Sequence, residues 1–266
     1  MLPYFDGPRP LAFAHRGGAL VWPENTLVAF RGALELGYRH IETDMHLTRD
    51  GAVVLFHDDR LERTTNGYGP LAAWSLAELQ ELDAAYRFSP SGTGYPYRGK
   101  GVRVPTLEEA LALSPDLRLN VEIKSKDPRA VEALWARIQR TGAHDRVLVA
   151  SADGSVGRAF RRLARGRVAT SAGFDEVLAF WSATRLGAGH WTRPGYHALQ
   201  VPERWRGLRV VDRRFLDAAH RRQLQVHVWT VHEIPVMNRL AALGADGLMT
   251  DRPDLLDPTT GTPRPI

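Results

Sequence analysis

Two pairs of charged residues are spaced so that each pair falls on one side of a strand. The run IETDMH places Glu42 and Asp44 two residues apart, and VEIKS does the same for Glu122 and Lys124. Alternate side chains of a β-strand project from the same face, so both members of each pair point the same way. Three carboxylates from two strand ends offer the oxygen ligands that Mg²⁺, Ca²⁺ or Mn²⁺ prefers.

The same acids fit a second interpretation, a structural network of ion pairs with Arg16 and Lys124. A buried carboxylate is costly unless a cation neutralises it, and a metal ion or a basic side chain can do so. The charges alone favour neither interpretation over the other.

Two histidines favour the catalytic metal site over the structural network, because each of them closes a short apolar run. His15 ends LAFAH and His57 follows VVLF. One such histidine is most often structural, but two imidazoles can divide the proton transfers of phosphoester cleavage. One accepts a proton from the nucleophile, and the other protonates the departing oxygen. Arg16 and Lys124 are then expected to bind the oxygens of the phosphate.

The composition excludes several other chemistries. The 266 residues include no cysteine, which removes thiolate nucleophiles and cysteine-bound zinc. The net charge of +5 comes from arginines scattered along the chain, which predicts a mild preference for anionic ligands and no nucleic-acid partner. The chain shows no signal-peptide pattern and no long apolar run, so we expect a cytoplasmic protein without stable membrane insertion.

Short β-rich runs alternate with helical patterns almost from end to end, and this alternation must position the charged residues. Eight strands are predicted, ending near residues 15, 44, 123, 150, 171, 201, 230 and 250. Eight parallel strands with intervening helices in a chain of this length predict an α/β fold, the (β/α)8 TIM barrel. An open doubly wound sheet is the alternative, but HRGGALVWPENT lacks the glycine-rich turn expected there.

One interval breaks the alternation, at about 59–105. It contains TTNGYGP and the Gly/Pro/Tyr-rich YRFSPSGTGYPYRGKG, which is more chain than a crossover needs. We interpret it as a small insertion in the βα loop after strand 2, within a single domain of residues 1–266. Such loops lie over the catalytic end of a barrel.

A series of motifs resembles the glycerophosphodiester phosphodiesterase family. AHRGG, PENTLVAFRGALELG, IETDMHLTRDGAVVLFHDDRLERTTNG, NVEIK, VHVWTV and GADGLMTDRPD follow in the order and at the separations usual in that family. The resemblance runs from His15 to Pro253. It implies a TIM barrel, a small-molecule glycerophosphodiester substrate, and Mg²⁺ or Ca²⁺ as cofactor.

The resemblance also implies roles for individual residues. His15 and His57 correspond to the acid/base pair, and Arg16 and Lys124 to phosphate ligands. The positions of the metal ligands are filled by Glu42, Asp44 and Glu122. Trp229 stands where the family has a tryptophan lining the substrate pocket, and His232 replaces the asparagine that usually follows Trp-Thr-Val. Asn25 and Thr26 are expected to cap a helix, although the resemblance places Glu24 and Asn25 where the family's PENT motif borders the site. Asp251 is expected to end strand eight.

The sequence leaves several alternatives open. A lysophospholipase D-like or phospholipase C-like lipid phosphodiesterase would use a similar barrel and two histidines. Such an enzyme is expected to expose apolar side chains around its mouth, and the aromatic insertion is a candidate for them. A catalytically silent phosphate-binding barrel is the third alternative. The sequence does not indicate the oligomeric state.

Overall fold

The computed structural model describes residues 2–187 and 194–264. The predicted extent of 1–266 therefore includes residues 1, 188–193 and 265–266, which lie outside the described residues. Within the described residues the strands are β1 Leu11–His15, β2 His40–Leu47, β3 Val53–Leu55, β4 Arg118–Ile123, β5 Val147–Ala150, β6 Ala169–Thr170, β7 Ala198–Pro202, β8 Arg204–Trp205, β9 Leu208–Arg209, β10 Gln225–Trp229, β11 Gly247–Thr250, β12 Leu256–Asp257 and β13 Thr262–Pro263.

Eight of these strands form a parallel barrel. Their order is β6-β5-β4-β2-β1-β11-β10-β7, and a parallel bridge between Ser171 and Ala198 brings the two edges together. Strand β3 is added antiparallel to β2. The predicted (β/α)8 barrel is therefore confirmed.

Apart from α2, the helices of the described residues cover the outside of the barrel and follow its strands. The helices are α1 Leu27–Glu35, α2 Leu76–Gln80, α3 Leu107–Leu111, α4 Ala130–Thr141, α5 Gly154–Ala164, α6 Phe174–Arg185, α7 Arg213–His220 and α8 Ile234–Leu243, with short 3-10 turns at Pro3–Phe5, Leu71–Ala73 and Ala143–Asp145. Thr26 caps α1 as predicted, because its hydroxyl accepts a hydrogen bond from the amide of Ala29. Among the described residues, none of the helices combines the length and apolarity needed to cross a membrane.

The barrel strands are buried on both faces, and the two faces differ in chemistry. In β2, Ile41 and Met45 join the hydrophobic cluster that includes Phe30 and Leu107 of the surrounding helices. The intervening positions carry Glu42, Asp44 and other polar side chains, and all eight residues of β2 are buried. Alternation along one strand thus sends apolar side chains to the helices and the acids to the barrel interior.

A separate apolar cluster fills the interior at the amino-terminal end of the strands. Tyr4 and Phe5 close this end and pack with Phe13, Leu148 and Met249, which come from three different strands. His40 lies beside Tyr4 and has a nitrogen 2.9 Å from its carbonyl oxygen. Because the interior is filled here, polar chemistry is confined to the opposite, carboxyl-terminal end.

The chain between β3 and β4 builds a cap of its own. It contains α2 and a small hydrophobic core that includes Leu61, Leu71, Leu79 and Val104, whereas α3, which follows it, packs on the barrel through Leu107. Both helices begin with capping boxes, Ser75 with Glu78 and Thr106 with Glu109. This local core holds the loop that carries His57 and its neighbours against the barrel.

Candidate active site

Three carboxylates meet at the carboxyl-terminal end of the barrel. Each of Glu42, Asp44 and Glu122 offers an oxygen, and these oxygens all lie within 4.8 Å of one another. Asp44 and Glu122 are register partners on β2 and β4, which explains their proximity. Burial, followed by the charge of Asp44, raises the pKa of Glu42 to about 8. The sequence spacing therefore predicted this cluster correctly.

Two basic side chains lie against the acids. Arg16 Nε is 3.2 Å from an oxygen of Asp44, and Lys124 Nζ is 3.0 Å from Glu122 and 3.5 Å from Asp44. Arg16 follows β1 in a left-handed conformation with φ of 51°. The ion pairs of the second interpretation are therefore present, and they join the same carboxylates that lie close enough to share a cation.

His15 ends β1 and is held from two sides. Its Nδ1 is 2.6 Å from Oδ1 of Asp251, and its Nε2 is 3.5 Å from Oε2 of Glu42. Burial alone lowers the pKa of His15, but the charges of Glu42 and Asp251 outweigh it and raise the pKa above its ordinary value. Asp251 fixes the ring so that Nε2 faces the carboxylate cluster.

His57 lies in the loop after β3 and is about a third exposed. Its Nδ1 is 2.5 Å from Asp58, the next residue in the chain. Its carbonyl oxygen is 3.0 Å from Nε2 of His46, which projects from β2. His57 is therefore oriented at its side chain and at its backbone, and its second ring nitrogen makes no hydrogen bond to the residues that the structure describes.

Arg63 links the two halves of the site. It donates to both oxygens of Glu24, at 2.7 and 2.8 Å, and to Asp58 at 2.5 Å. Glu24 also accepts from Arg16 at 3.0 Å. Burial raises the pKa of Glu24, but the hydrogen bonds from Arg63 and the charge of Arg16 bring it below the usual value. One guanidinium thus joins the residue that holds His57 to the residue that holds Arg16.

Three residues of this arrangement were not assigned a catalytic, metal-binding or phosphate-binding role from the sequence. Asp251 was expected only to end strand eight, although it contacts His15. Asn25 was expected to cap a helix, but it donates to Asp44 at 3.0 Å and accepts from Thr43 at 2.6 Å. Arg63 lies in the insertion and gave no signal by its spacing. His232, the departure from the family pattern, has its Nε2 3.5 Å from Asp251.

Trp229 ends β10 and is 42% exposed, so it belongs to the mouth of the barrel and not to the core. Together with Glu122 it lines a cleft of about 300 Å³ that runs over the ends of β5, β6 and β7. The other walls come from α6 and from the hairpin of β8 and β9. The cleft therefore opens directly beside the carboxylate cluster.

The aromatic insertion does not supply this apolar surface. Arg98 covers two of its rings, at 4.1 Å from the centroid of Tyr86 and 3.5 Å from that of Tyr95. Near Phe88 the insertion borders a second pocket of about 190 Å³, which Glu24 and Arg63 also line. Exposed apolar side chains occur on both sides of the mouth: Phe174, Leu178, Trp205 and Leu208 line the cleft with Trp229, and Leu20, which is 52% exposed, lines the second pocket.

A barrel with acids, imidazoles and basic side chains gathered at its carboxyl-terminal mouth has the arrangement of a barrel enzyme. Residues 15–255 match the model of the glycerophosphoryl diester phosphodiesterase family. The probable glycerophosphodiester phosphodiesterase 2 of Mycobacterium tuberculosis is 36% identical over 250 residues, which cover 92% of this chain and 89% of that protein. The chain belongs to this family, as the motifs predicted.

Solved structures agree with the fold. The glycerophosphoryl diester phosphodiesterase domain of an uncharacterized M. tuberculosis protein superposes with a TM-score of 0.80 at 24% identity, covering 93% of this chain and 97% of that one. An Oleispira antarctica phosphodiesterase, solved in complex with the product sn-glycerol-3-phosphate, has a TM-score of 0.74 at 26% identity. The coverage is 92% of this chain and 94% of the Oleispira chain.

Proposed function

We propose that this protein hydrolyses small glycerophosphodiesters to glycerol 3-phosphate and an alcohol. The observation that carries this proposal is the meeting of Glu42, Asp44 and Glu122 within 4.8 Å, beside His15 and the basic side chains of Arg16 and Lys124. Family membership supports it, as does the sn-glycerol-3-phosphate in the Oleispira antarctica enzyme.

The three carboxylates would hold a divalent cation, Mg²⁺ or Ca²⁺, with Mn²⁺ as a further candidate. The donor set fits such an ion because it is composed of oxygen alone. It also fits because Glu42 and Asp44 are buried next to each other, and a bound cation would offset the repulsion between their negative charges. When bound, the ion supplies charge stabilisation for the phosphate oxygens.

Arg16 and Lys124 would bind the non-bridging oxygens of the phosphate. Both already face the carboxylate cluster, and both are less than a third exposed. The planar guanidinium of Arg16 suits two oxygens at once, whereas Lys124 acts as a point charge. Trp229 would contact the substituent that lies on its side of the mouth.

His15 is assigned as the base and His57 as the acid. Asp251 accepts the Nδ1 proton of His15, which leaves Nε2 free to take a proton from the nucleophile, either water or a hydroxyl of the substrate's glycerol. His57, with Nδ1 on Asp58, would protonate the departing oxygen from Nε2. The charge of Glu42 favours a protonated His15, so its action as a base requires that this charge be offset.

The proposed activity is tested by measuring glycerol 3-phosphate released from glycerophosphocholine. The wild type is expected to hydrolyse glycerophosphocholine. The rates of His15→Ala and His57→Ala should be lower by a factor on the order of 10²–10⁴. His220→Ala is the matched control, because His220 pairs with Asp246 at the surface. Wild-type protein that releases no glycerol 3-phosphate with any of the three cations would overturn the proposal.

The division of roles is tested with a better leaving group. A p-nitrophenyl diester needs little protonation of its departing oxygen, so His57→Ala should recover much of its activity on it, whereas His15→Ala should not. Equal losses for both variants on both substrates would show that the assignment of base and acid is wrong.

A further inference from the structure

The hairpin of β8 and β9, at the edge of the mouth, is exposed over its whole length. Its two strands pair antiparallel with Trp205 opposite Leu208, and residues 204–209 are all exposed. Arg206 and Gly207 form the turn, with φ of 47° and 82°. Positive φ at both turn positions is typical of the type I′ turn, whose twist matches that of the paired strands. The hairpin is therefore a defined element that presents its side chains at fixed positions.

One face of the hairpin continues an exposed apolar surface that begins on α6. Side chains directly opposite each other in an antiparallel pair project from the same face, so Trp205 and Leu208 lie side by side. The ring of Phe174, the first residue of α6, lies 5.6 Å from that of Trp205 between centroids, and Leu178 follows one helical turn later. These four side chains are between 40% and 56% exposed, and we call them the hairpin patch. A contiguous exposed apolar patch of this kind marks an interaction surface.

The hairpin also carries positive charge that the described residues do not neutralise. Its three arginines share the absence of an ion pair with any described residue: Arg204, Arg206 and Arg209. The two acids that flank the hairpin are already paired, Glu203 with Arg239 at 2.9 Å and Asp212 with Arg185 at 2.6 Å. An apolar face and a set of unpaired cations therefore occur on the same six residues.

The charge selects among the partners that would cover the hairpin patch. In a two-fold dimer the patch would meet the same patch of a second copy, and the arginines of the two hairpins would repel each other. Nucleic acid would pair with the arginines but would leave Leu178 and Leu208 without an apolar partner. An anionic bilayer offers phosphates to the arginines and hydrocarbon to the apolar side chains. The combination therefore favours a bilayer surface.

We propose that the hairpin patch docks the protein reversibly on the surface of an anionic lipid bilayer. Trp205 and Leu208 insert at the boundary between headgroups and acyl chains, and the three arginines bind lipid phosphates. Tryptophan suits this boundary because its ring is amphipathic, and the guanidinium of Arg206, 4.8 Å from the Trp205 centroid, can stay at headgroup level while the ring is buried. This inference concerns where the protein binds and does not depend on the proposed function. Because the hairpin borders the mouth, docking brings the mouth to the bilayer surface.

The test measures co-sedimentation with sucrose-loaded vesicles of phosphatidylcholine alone or mixed equally with phosphatidylglycerol. Each arginine near an anionic surface contributes about fivefold to the partition coefficient, so the triple variant Arg204→Gln/Arg206→Gln/Arg209→Gln should bind the mixed vesicles on the order of 100-fold more weakly. Leu208→Gln should weaken binding by roughly tenfold, because it removes inserted apolar surface. Binding of the wild type should be weaker on phosphatidylcholine alone and should fall as salt is raised.

Matched variants elsewhere on the barrel control for net charge and for apolar exposure. Arg140→Gln/Arg162→Gln/Arg221→Gln removes the same charge from exposed positions near the ends of α4, α5 and α7, which lead into the amino-terminal ends of barrel strands. Leu186→Gln is the control for Leu208→Gln, because Leu186 is 84% exposed just beyond the far end of α6. Both controls should bind within about twofold of the wild type. All variants should keep the melting temperature of the wild type, since each substituted side chain is exposed.

Lipids with bromine on their acyl chains distinguish insertion from adsorption at the headgroups. Bromine quenches the fluorescence of tryptophans that lie close to it, so mixed vesicles of brominated lipid should quench the wild type. Trp205→Phe should show less quenching at the same amount of bound protein. Trp74→Phe is the control, because Trp74 packs against the small core of the insertion, and it should be quenched as the wild type is.

The contrary outcomes are distinct. Wild-type protein that does not sediment with the mixed vesicles at low salt would overturn the proposal. Equal weakening by the two triple variants would show a general attraction due to the net charge of +5 and would overturn the assignment to the hairpin. Quenching that is unchanged in Trp205→Phe would overturn its insertion. Dimerisation in analytical ultracentrifugation that Leu208→Gln abolishes, without vesicle binding by the wild type, would show that a second copy covers the patch.

Discussion

Replacement of His227 should make the protein less sensitive to acid. His227 is fully buried in β10, packed against Phe13 at 4.8 Å between ring centroids, and Gln200 lies 3.3 Å from its Nδ1. Burial, followed by the charges of His40 and Arg9, lowers the pKa of His227 from 6.5 to about 3. The folded protein therefore holds this imidazole neutral at pH values where the unfolded chain protonates it.

The sign and size of the effect follow from linkage. Below pH 6.5 the unfolded state binds more protons at this residue than the folded state does, so the free energy of unfolding falls as the pH falls, until the folded pKa is reached. On acidification from pH 7 to pH 5, about 1.5 pH units lie below the unfolded pKa of 6.5. The free energy of unfolding therefore falls by about 2 kcal/mol over this range. His40, with its pKa lowered by burial to about 4, behaves in the same direction.

The assay is urea unfolding followed by tryptophan fluorescence at pH 7 and pH 5. The loss of unfolding free energy on acidification should be about 2 kcal/mol smaller in His227→Leu than in the wild type. Glu42, whose raised pKa has the opposite pH dependence, is present in both proteins and cancels from the comparison. His220→Gln, at the surface, should behave as the wild type. Equal losses in His227→Leu and the wild type would refute the reasoning.

Three further predictions concern the site. Arg63→Ala should lower kcat/KM for glycerophosphocholine only roughly tenfold, because Arg63 is 46% exposed and solvent partly screens its ion pairs. Arg60 pairs only with Glu62 among the described residues, so kcat/KM of the control variant Arg60→Ala should stay within about twofold of the wild type. Asp251→Asn should lower kcat by on the order of 10²-fold with little change in melting temperature, because it releases the ring of His15. Saturating Mg²⁺ or Ca²⁺ should raise the melting temperature of the wild type and raise that of Glu122→Gln less; equal shifts would count against a shared cation site.

The sequence predicted the parts of the structure that depend on periodicity. Alternating β and α patterns gave the barrel, and the two-residue spacing of Glu42 and Asp44 placed both acids on the inner face of β2. The register of β2 with β4 then brings Glu122 to the same point. These relations are local or fixed by the parallel sheet, so a single sequence carries them.

Loop contacts could not be read in the same way. Arg63 reaches Glu24 across 39 residues of chain, and Asp251 reaches His15 across 236 residues. No periodic pattern encodes such distances. The apolar cleft was missed because its wall includes the hairpin of β8 and β9, two strands of two residues each that fall outside the alternation.

Phosphorus-31 NMR of a single reaction tests the central claim most directly. Chelator-treated protein is mixed with glycerophosphocholine, and Mg²⁺ or Ca²⁺ is then added in excess. We predict that the diester resonance is stable before the addition and is replaced afterwards by the resonance of glycerol 3-phosphate, because Glu42, Asp44 and Glu122 then hold the cation. Conversion at the same rate in the presence of the chelator, or no conversion with any of the cations, would contradict a metal-dependent phosphodiesterase site at this end of the barrel.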